Sequence, residues 1–389
     1  MNTLKRHIDG TIQSHFSRGR QILLLLGARQ VGKTTLLQRL FPDARYFLLD
    51  NDPVRKSFET YDIHSYRQFI RPTDATVIID EIQLLPDPGR AAKIIYDQMP
   101  DVKLIITGSS ALNIKNRTSE SLAGRKIDYH LFPLSFAEYL YQTGAEDELN
   151  DSFLQRIISE DLASRPHLFD LAATTQRVLT YGLSPYLIDH PQDTSYLKEL
   201  STSVIFKDIL ELNLIEDRKV AADLLKLLAY QTGNLINYTE LASRLNIDVR
   251  TVKRYIEIFE QSFILFRLYP YTSNRRDEIG KSPKIYFYDM GLRNAIIEDF
   301  SDPFFRRDSG ALFENFIISE IVKHNYYSGS EYQLAFWRTV QGAEVDLVLH
   351  NKDHVIGCEI KMSKGRVARA FKNRFPDAQK RMITMENFY

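Results

Sequence analysis

The stretch QILLLL at Gln21–Leu26, followed by GARQVGKTT at Gly27–Thr35, decides the fold. An almost wholly apolar run bounded by glycine reads as a buried strand. Gly27 through Thr34 fits G-x-x-x-x-G-K-[ST], a motif that needs a strand before it and a helix after it. Gly27 and Gly32 free the backbone to turn its N–H groups onto phosphate. The helix opening near Lys33 adds partial positive charge at its N-terminus. Lys33 has the reach for the β- and γ-phosphates, and Thr34 offers its hydroxyl to Mg2+. The expected nucleotide-binding residues are Gly27, Ala28, Arg29, Gln30, Val31, Gly32, Lys33, Thr34 and Thr35, and the expected cofactors are ATP and Mg2+.

Further strand-like runs follow at Arg45–Leu49, Thr76–Ile79, Lys103–Thr107 and Lys126–Leu131, separated by amphipathic helical stretches. Such alternation predicts an α/β domain, a parallel sheet with helices on both faces. The run at Thr76 ends in Asp80 and Glu81. Beside a P-loop, Asp80 is expected at the metal. Glu81 is expected to orient and deprotonate the attacking water. The run at Lys103 ends in Gly108-Ser109-Ser110. If that strand lies between the P-loop strand and the Asp80 strand, its end sits near the γ-phosphate, and Ser109 or Ser110 either senses that phosphate or caps the next helix. Arg125 is either an arginine finger, in cis or in trans, or a surface arginine.

The chain changes character downstream. Residues 136–215 read mostly as helix, broken by the acidic loop Thr143–Asp151. Ala221–Gln231, Tyr238–Leu245 and Val249–Phe259 read as helices, and Phe263–Leu268 as a strand. This order predicts a winged helix-turn-helix. Thr272–Lys284 is polar and reads as an exposed wing or linker. Beyond residue 300, a helix at Ala311–His324 precedes strands at Gln333–Trp337, Glu344–Leu349, Val355–Ile360 and Arg381–Met385. The expected division is 1–135, 136–215, 216–300 and 301–389.

A turn centred between Lys352 and Asp353 sets Asp346 opposite Glu359 across a hairpin. Two opposed carboxylates can share a divalent metal. Lys361 falls on the same strand face as Glu359, where a lysine positions water or offsets charge developing on phosphate. Glu314 on the preceding helix completes the expected constellation. The competing reading is a row of surface ion pairs. Cys358 points the other way and reads as a small core residue.

Lys+Arg and Asp+Glu each number 50 in 389 residues, so the net charge is zero. Any nucleic-acid binding must come from local patches. One patch comprises Lys361, Lys364, Arg366, Arg369, Lys372, Arg374, Lys380 and Arg381, with Asp377 the only acid between them. A second is the i, i+3, i+4 set Arg250, Lys253 and Arg254. Both suit DNA phosphates, and the second is also what a solvated helix face looks like. With 26 % charged and 44 % hydrophobic residues, the composition excludes disordered and collagen-like chains. One cysteine excludes an intramolecular disulfide. The longest strongly apolar run, Ile22–Leu26, is too short to cross a bilayer, and MNTLKRHIDG lacks a signal-peptide core. The expectation is a cytoplasmic protein with no membrane partner; homo-oligomerisation is left open.

GARQVGKTTLL, VIIDEIQLLPD, IITGSSAL, SLAGRK and FPLSFAEYL follow one another in this chain, and KIYFYDMGLRNA, ALFENFIISE, GAEVDLVL and GCEIKMSKG continue the series. Together they resemble the prokaryotic AAA-type ATPases that carry a C-terminal domain of unknown function. The resemblance implies an AAA-like P-loop domain, a helical and winged-helix middle region, and a C-terminal restriction-endonuclease-like α/β domain. The Asp346…Glu359-x-Lys361 pattern resembles the PD-(D/E)xK nucleases. The resulting expectation is an Mg2+-dependent ATPase that engages DNA and cleaves it through the terminal domain. The alternative is a nucleotide-controlled switch whose nuclease-like domain is inactive and holds a protein partner.

Overall fold

The computed structural model describes residues 4–71, 74–109, 122–149, 153–203, 215–272 and 282–389. The chain divides into two compact units. The first is built from the chain up to Pro133 with Gln261–Phe263, and the second from most of the remainder.

The first unit is an α/β layer around five parallel strands: β1 (Ile22–Leu26), β2 (Arg45–Leu48), β3 (Thr76–Asp80), β4 (Lys103–Gly108) and β5 (Lys126–His130), in the order β2-β3-β4-β1-β5. Every residue of β1 is buried, as a strand covered on both faces requires. β4 lies between β3 and β1, with Ile106 beside Ile79 and Gly108 beside Leu26. The carboxyl ends of these three strands therefore open onto one crevice, the usual place for a ligand in a parallel sheet. The helix Lys33–Leu40 follows β1 directly. The helix Pro88–Gln98 starts on proline, with the Asp87 side chain capping Arg90 N at 2.9 Å. Together, aspartate cap and N-terminal proline fix its first turn.

The second unit begins with helices at Phe136–Gln142, Phe153–Ser159, Leu171–Tyr181 and Thr194–Ser203. Helices at Arg218–Tyr230, Tyr238–Leu245 and Val249–Gln261 follow. Asn246 ends the second of these in a left-handed conformation, and Asp248 caps Thr251 N at 2.9 Å. Two antiparallel strands come next, β6 (Leu265–Leu268) and β7 (Lys284–Phe287). The polar reading of Thr272–Lys284 is corrected at its end: Lys284 is buried and opens β7. Residues 273–281 lie outside the described residues. The consecutive apolar residues Ile285-Tyr286-Phe287 carried the strand signal, masked by the polar run before them.

The chain closes on a mixed sheet in the order β11-β10-β9-β8: β8 (Gln333–Arg338), β9 (Glu344–His350), β10 (Val355–Ile360) and β11 (Gln379–Ile383). β10 pairs antiparallel with β9 and parallel with β11. The helix Ser309–Tyr327 packs on β7 and β10.

Candidate functional site

The first site lies at the carboxyl ends of β1, β3 and β4. A Cβ on Gly27 would stand 2.2 Å from the carbonyl oxygen of Leu131, so only glycine lets the loop leave β1 there. Gly32 has φ +91°, a left-handed geometry that admits glycine at little cost. Lys33 is buried and donates to the carbonyls of Gly27 at 2.8 Å and Ala28 at 3.0 Å. Arg6, also buried, ties the loop down by donating to Val31 O at 2.9 Å and Phe132 O at 2.6 Å.

Asp80 is the hub. Its Oδ2 accepts from the Thr34 hydroxyl at 2.6 Å and from the Tyr46 phenol, and its Oδ1 accepts from the Thr107 hydroxyl. Burial, the hydrogen bond to Asp80 and the negative charge raise the Tyr46 pKa well above that of a free phenol, so it acts as a donor. Thr107 also accepts from Glu81 N at 3.2 Å. Glu81 sits at φ 60°, ψ 46°, a left-handed geometry that costs a non-glycine residue about 1 kcal/mol or more. Gln83 Nε2 donates to the Glu81 carboxylate. Gln83 also donates to Ser109 Oγ at 3.2 Å. Tyr46, Gln83 and Thr107 were not singled out from the sequence. Gln83 had the clearest signal, standing two residues after Glu81 in the same segment.

Thr35 is exposed in the first turn of the helix, and Arg29 is half-buried in the loop. Ser110 lies outside the described residues. Arg125 as a finger in cis is corrected. Ile22 N donates to Arg125 O at 2.7 Å, which puts Arg125 at the amino end of β1. The P-loop leaves from the carboxyl end, about 13 Å along the strand. Arg125 Nε instead pairs with Asp97 at 3.1 Å.

The second site is an acidic cluster within the second unit. The β9–β10 pairing runs from His350–Val355 to Leu347–Cys358, and one step more sets Asp346 opposite Glu359. Asp346 Oδ2 accepts from Ile360 N at 2.8 Å. Lys361 Nζ bridges the two acids, 3.0 Å from Asp346 Oδ2 and 2.8 Å from Glu359 Oε1. Glu359 Oε2 is buried and has no partner. Burial and the Asp346 charge raise the Glu359 pKa, against the pull of Lys361. Glu314 faces a different lysine: Lys284 Nζ lies 3.3 Å away and the Tyr286 hydroxyl donates to it at 2.6 Å. Lys284 also pairs with Glu344, which meets Arg338 at 3.3 Å. Burial alone would lower the Lys284 pKa; Glu314, Glu344 and Asp346 outweigh it and hold the pKa above the ordinary value. Lys284, Tyr286 and Glu344 were not foreseen, because β7 joins the cluster only through tertiary packing. Among the described residues, no group of three or more His, Cys, Asp and Glu is placed to hold a metal ion.

Lys364, Arg366, Arg369, Lys372 and Arg374 are exposed after β10. Arg381 does not belong to that surface. It is buried, donates to Ile157 O at 2.7 Å and Ile158 O at 3.2 Å, and pairs with Glu160. Arg250, Lys253 and Arg254 are exposed on one helix. Arg254 meets Glu216 at 3.2 Å, and Lys253 stands over the Tyr238 ring. Cys358 is fully buried, which pushes its thiol up to about 12.

Residues 19–140 match the AAA domain family. Residues 173–302 and 309–386 match two domains of unknown function, DUF8612 and DUF4143. The chain is 28 % identical over 321 residues to an uncharacterized protein of Methanocaldococcus jannaschii, covering 75 % of this chain and 65 % of that one, just under two thirds. It is 25 % identical over 366 residues to an uncharacterized protein of Mycobacterium tuberculosis, covering 92 % and 74 %. Among solved structures, a Walker-type ATPase of Pyrococcus abyssi aligns with a TM-score of 0.49 at 15 % identity, covering 75 % of this chain and 95 % of that one. No described helix is long and apolar enough to cross a membrane.

Proposed function

We propose that the first unit binds ATP with Mg2+ and hydrolyses it. The observation that carries this is the 2.6 Å bond from Thr34 Oγ1 to Asp80 Oδ2, which brings the P-loop hydroxyl and the strand-end carboxylate to one point. These two residues would hold Mg2+, whose role is to neutralise charge on the β- and γ-phosphates. The loop amides and Lys33 bind the phosphates. Asp80 is held in one orientation by Tyr46 and Thr107. Glu81 takes the proton of the attacking water, and Gln83 with Ser109 fixes the Glu81 carboxylate beside the β4 end. The test is ATP turnover with Mg2+ by purified protein. Lys33→Ala is expected to abolish nucleotide binding, and Glu81→Gln to bind ATP without turning it over. Wild-type protein that neither binds nor hydrolyses ATP refutes the proposal.

The second unit, on this reading, engages DNA. The three helices Arg218–Gln261 with β6 and β7 form a winged helix-turn-helix, and Arg250, Lys253 and Arg254 meet phosphate. The terminal sheet is a nuclease-like domain with Asp346, Glu359 and Lys361 as its reacting groups and Glu314 beside them. The unpartnered Glu359 Oε2 supports a cation there: a divalent metal held by Asp346 and Glu359 would activate water. Lys361 would then bind the phosphate. A second reading rests on Lys361 itself. Its ammonium already pairs with one oxygen of each acid, so the domain persists without cleaving and serves an ATP-controlled switch. Plasmid and single-stranded DNA incubated with Mg2+ or Mn2+, with and without ATP, separate the two. Cutting lost in Lys361→Ala supports the nuclease; no cutting by protein that still hydrolyses ATP supports the switch.

A further inference from the structure

A cavity of about 170 Å³ lies within the second unit and shares no lining residue with the acidic cluster. Its apolar wall is made by Phe136, Phe153 and Phe388, all buried. Its polar groups are unusual in what they lack. His167 Nε2 and the Tyr389 hydroxyl are buried and have no hydrogen-bond partner. Such atoms are rare in folded proteins, because a buried donor or acceptor without a partner loses its hydration and gains nothing in return. Burial lowers the His167 pKa and raises that of Tyr389, so both side chains are neutral.

Four charged side chains line the same space: Arg156, Arg165, Glu146 and Glu320, of which Arg165 is paired with Asp161. Arg156 is buried and gives its guanidinium to main-chain carbonyls only: Asp161 at 3.0 Å, Ala163 at 3.2 Å and Asn387 at 3.4 Å. Carbonyls carry no net charge; Asp161 acts on Arg156 only through space, and among the described residues no carboxylate forms a contact ion pair with it. Burying a cation this way is unfavourable unless an anion joins it. The half-buried carboxylate of Glu146 has no hydrogen-bond or ion-pair partner among the described residues either. Glu320, in contrast, is already satisfied by Phe136 N at 2.7 Å and Lys323 Nζ at 2.8 Å. One unmatched cation, one unmatched anion and two unsatisfied neutral groups therefore meet at an aromatic wall.

We propose that this cavity binds a small zwitterion of the amino-acid class with an apolar side chain. The carboxylate pairs with Arg156 and accepts from the Tyr389 hydroxyl. The ammonium turns to Glu146, and the side chain packs on the three phenylalanines. Neither a plain carboxylate nor a plain amine matches both charges. The site is independent of the ATPase and nuclease proposals.

The test is calorimetric titration of the full chain with L-leucine and L-phenylalanine, with N-acetyl-L-leucine and isopentylamine as single-charge controls. Saturable binding of at least one amino acid is expected, with the controls at least about tenfold weaker, as loss of one charged hydrogen bond implies. Glu146→Gln and Tyr389→Phe, which leave the Arg156 anchoring bonds in place, are each expected to weaken it by about tenfold. Absence of saturable binding for both amino acids overturns the proposal. So do controls that bind as well as leucine, or binding unchanged in both variants.

Discussion

Thr107→Val tests the wiring of the nucleotide site most directly. Thr107 is fully buried, and its hydroxyl serves two buried groups: it donates to Asp80 Oδ1 and accepts from Glu81 N at 3.2 Å. Valine has the same shape without the hydroxyl, so no cavity opens. Each orphaned group costs about 1–3 kcal/mol. Asp80 keeps Thr34 and Tyr46 on its other oxygen, which argues for the lower part of that range. The expected loss is about 2–4 kcal/mol. Thr107→Ser keeps the hydroxyl and loses one buried methyl, about 0.8 kcal/mol. Native-state hydrogen exchange of the β1 and β4 amides, read by mass spectrometry, measures the opening energy of the first unit without requiring two-state unfolding of the whole chain. The same variant should lower ATP turnover at least about tenfold, or 1.4 kcal/mol. The strained Glu81 turn loses the bond that holds it, while Lys33 and the loop keep nucleotide affinity near normal. A valine variant within about 0.5 kcal/mol of wild type refutes the reasoning, and so does a serine variant that falls as far as valine.

Lys284→Met leaves buried Glu314 without its cation while Glu344 keeps Arg338, an expected loss of about 3 kcal/mol in the second unit. Adding Glu314→Gln should recover part of it. Trp337, the only tryptophan and buried in β8, reports both unfolding curves by fluorescence. Asp308 is held down to about 2: burial opposes this, but Arg306 and Arg293, each 2.7 Å away, outweigh it. A depressed carboxylate stabilises the fold above its unfolded pKa near 3.8 and loses that contribution as pH falls toward 2. The second unit should therefore weaken between those values, and Asp308→Asn should flatten that limb of the Trp337 stability profile. Reversing Arg250, Lys253 and Arg254 to glutamate should abolish salt-sensitive DNA retention in a filter assay; retention with an unchanged salt slope would remove that helix from the interface.

The P-loop, the five strands and the Asp80–Glu81 pair were legible because each is written locally. Chain direction alone sets the loop after β1 and the acids after β3. The hairpin register of Asp346 and Glu359 was legible for the same reason, since a four-residue turn fixes which residues face each other. Legibility ended where partners come from distant segments. Tyr46 and Thr107 reach Asp80 only because β2 and β4 flank β3 in the sheet, an order that no local pattern encodes. Sequence leaves Arg125 between a finger and a surface arginine. It directly precedes β5, so parallel pairing with β1 puts it at the amino end, but its partner Asp97 comes from a separate helix that no local pattern shows. Arg381 read as surface charge because composition cannot show the carbonyls of Ile157 and Ile158 closing over it. Lys284 read as linker because its value lies in the acids packed around it. The sequence by itself determined the phosphate-binding loop, the parallel sheet and the acidic hairpin, through backbone geometry and side-chain period. Tertiary structure alone decided which charges are paired, buried or left open, because desolvation and Coulomb energy depend on distances between segments far apart in the chain.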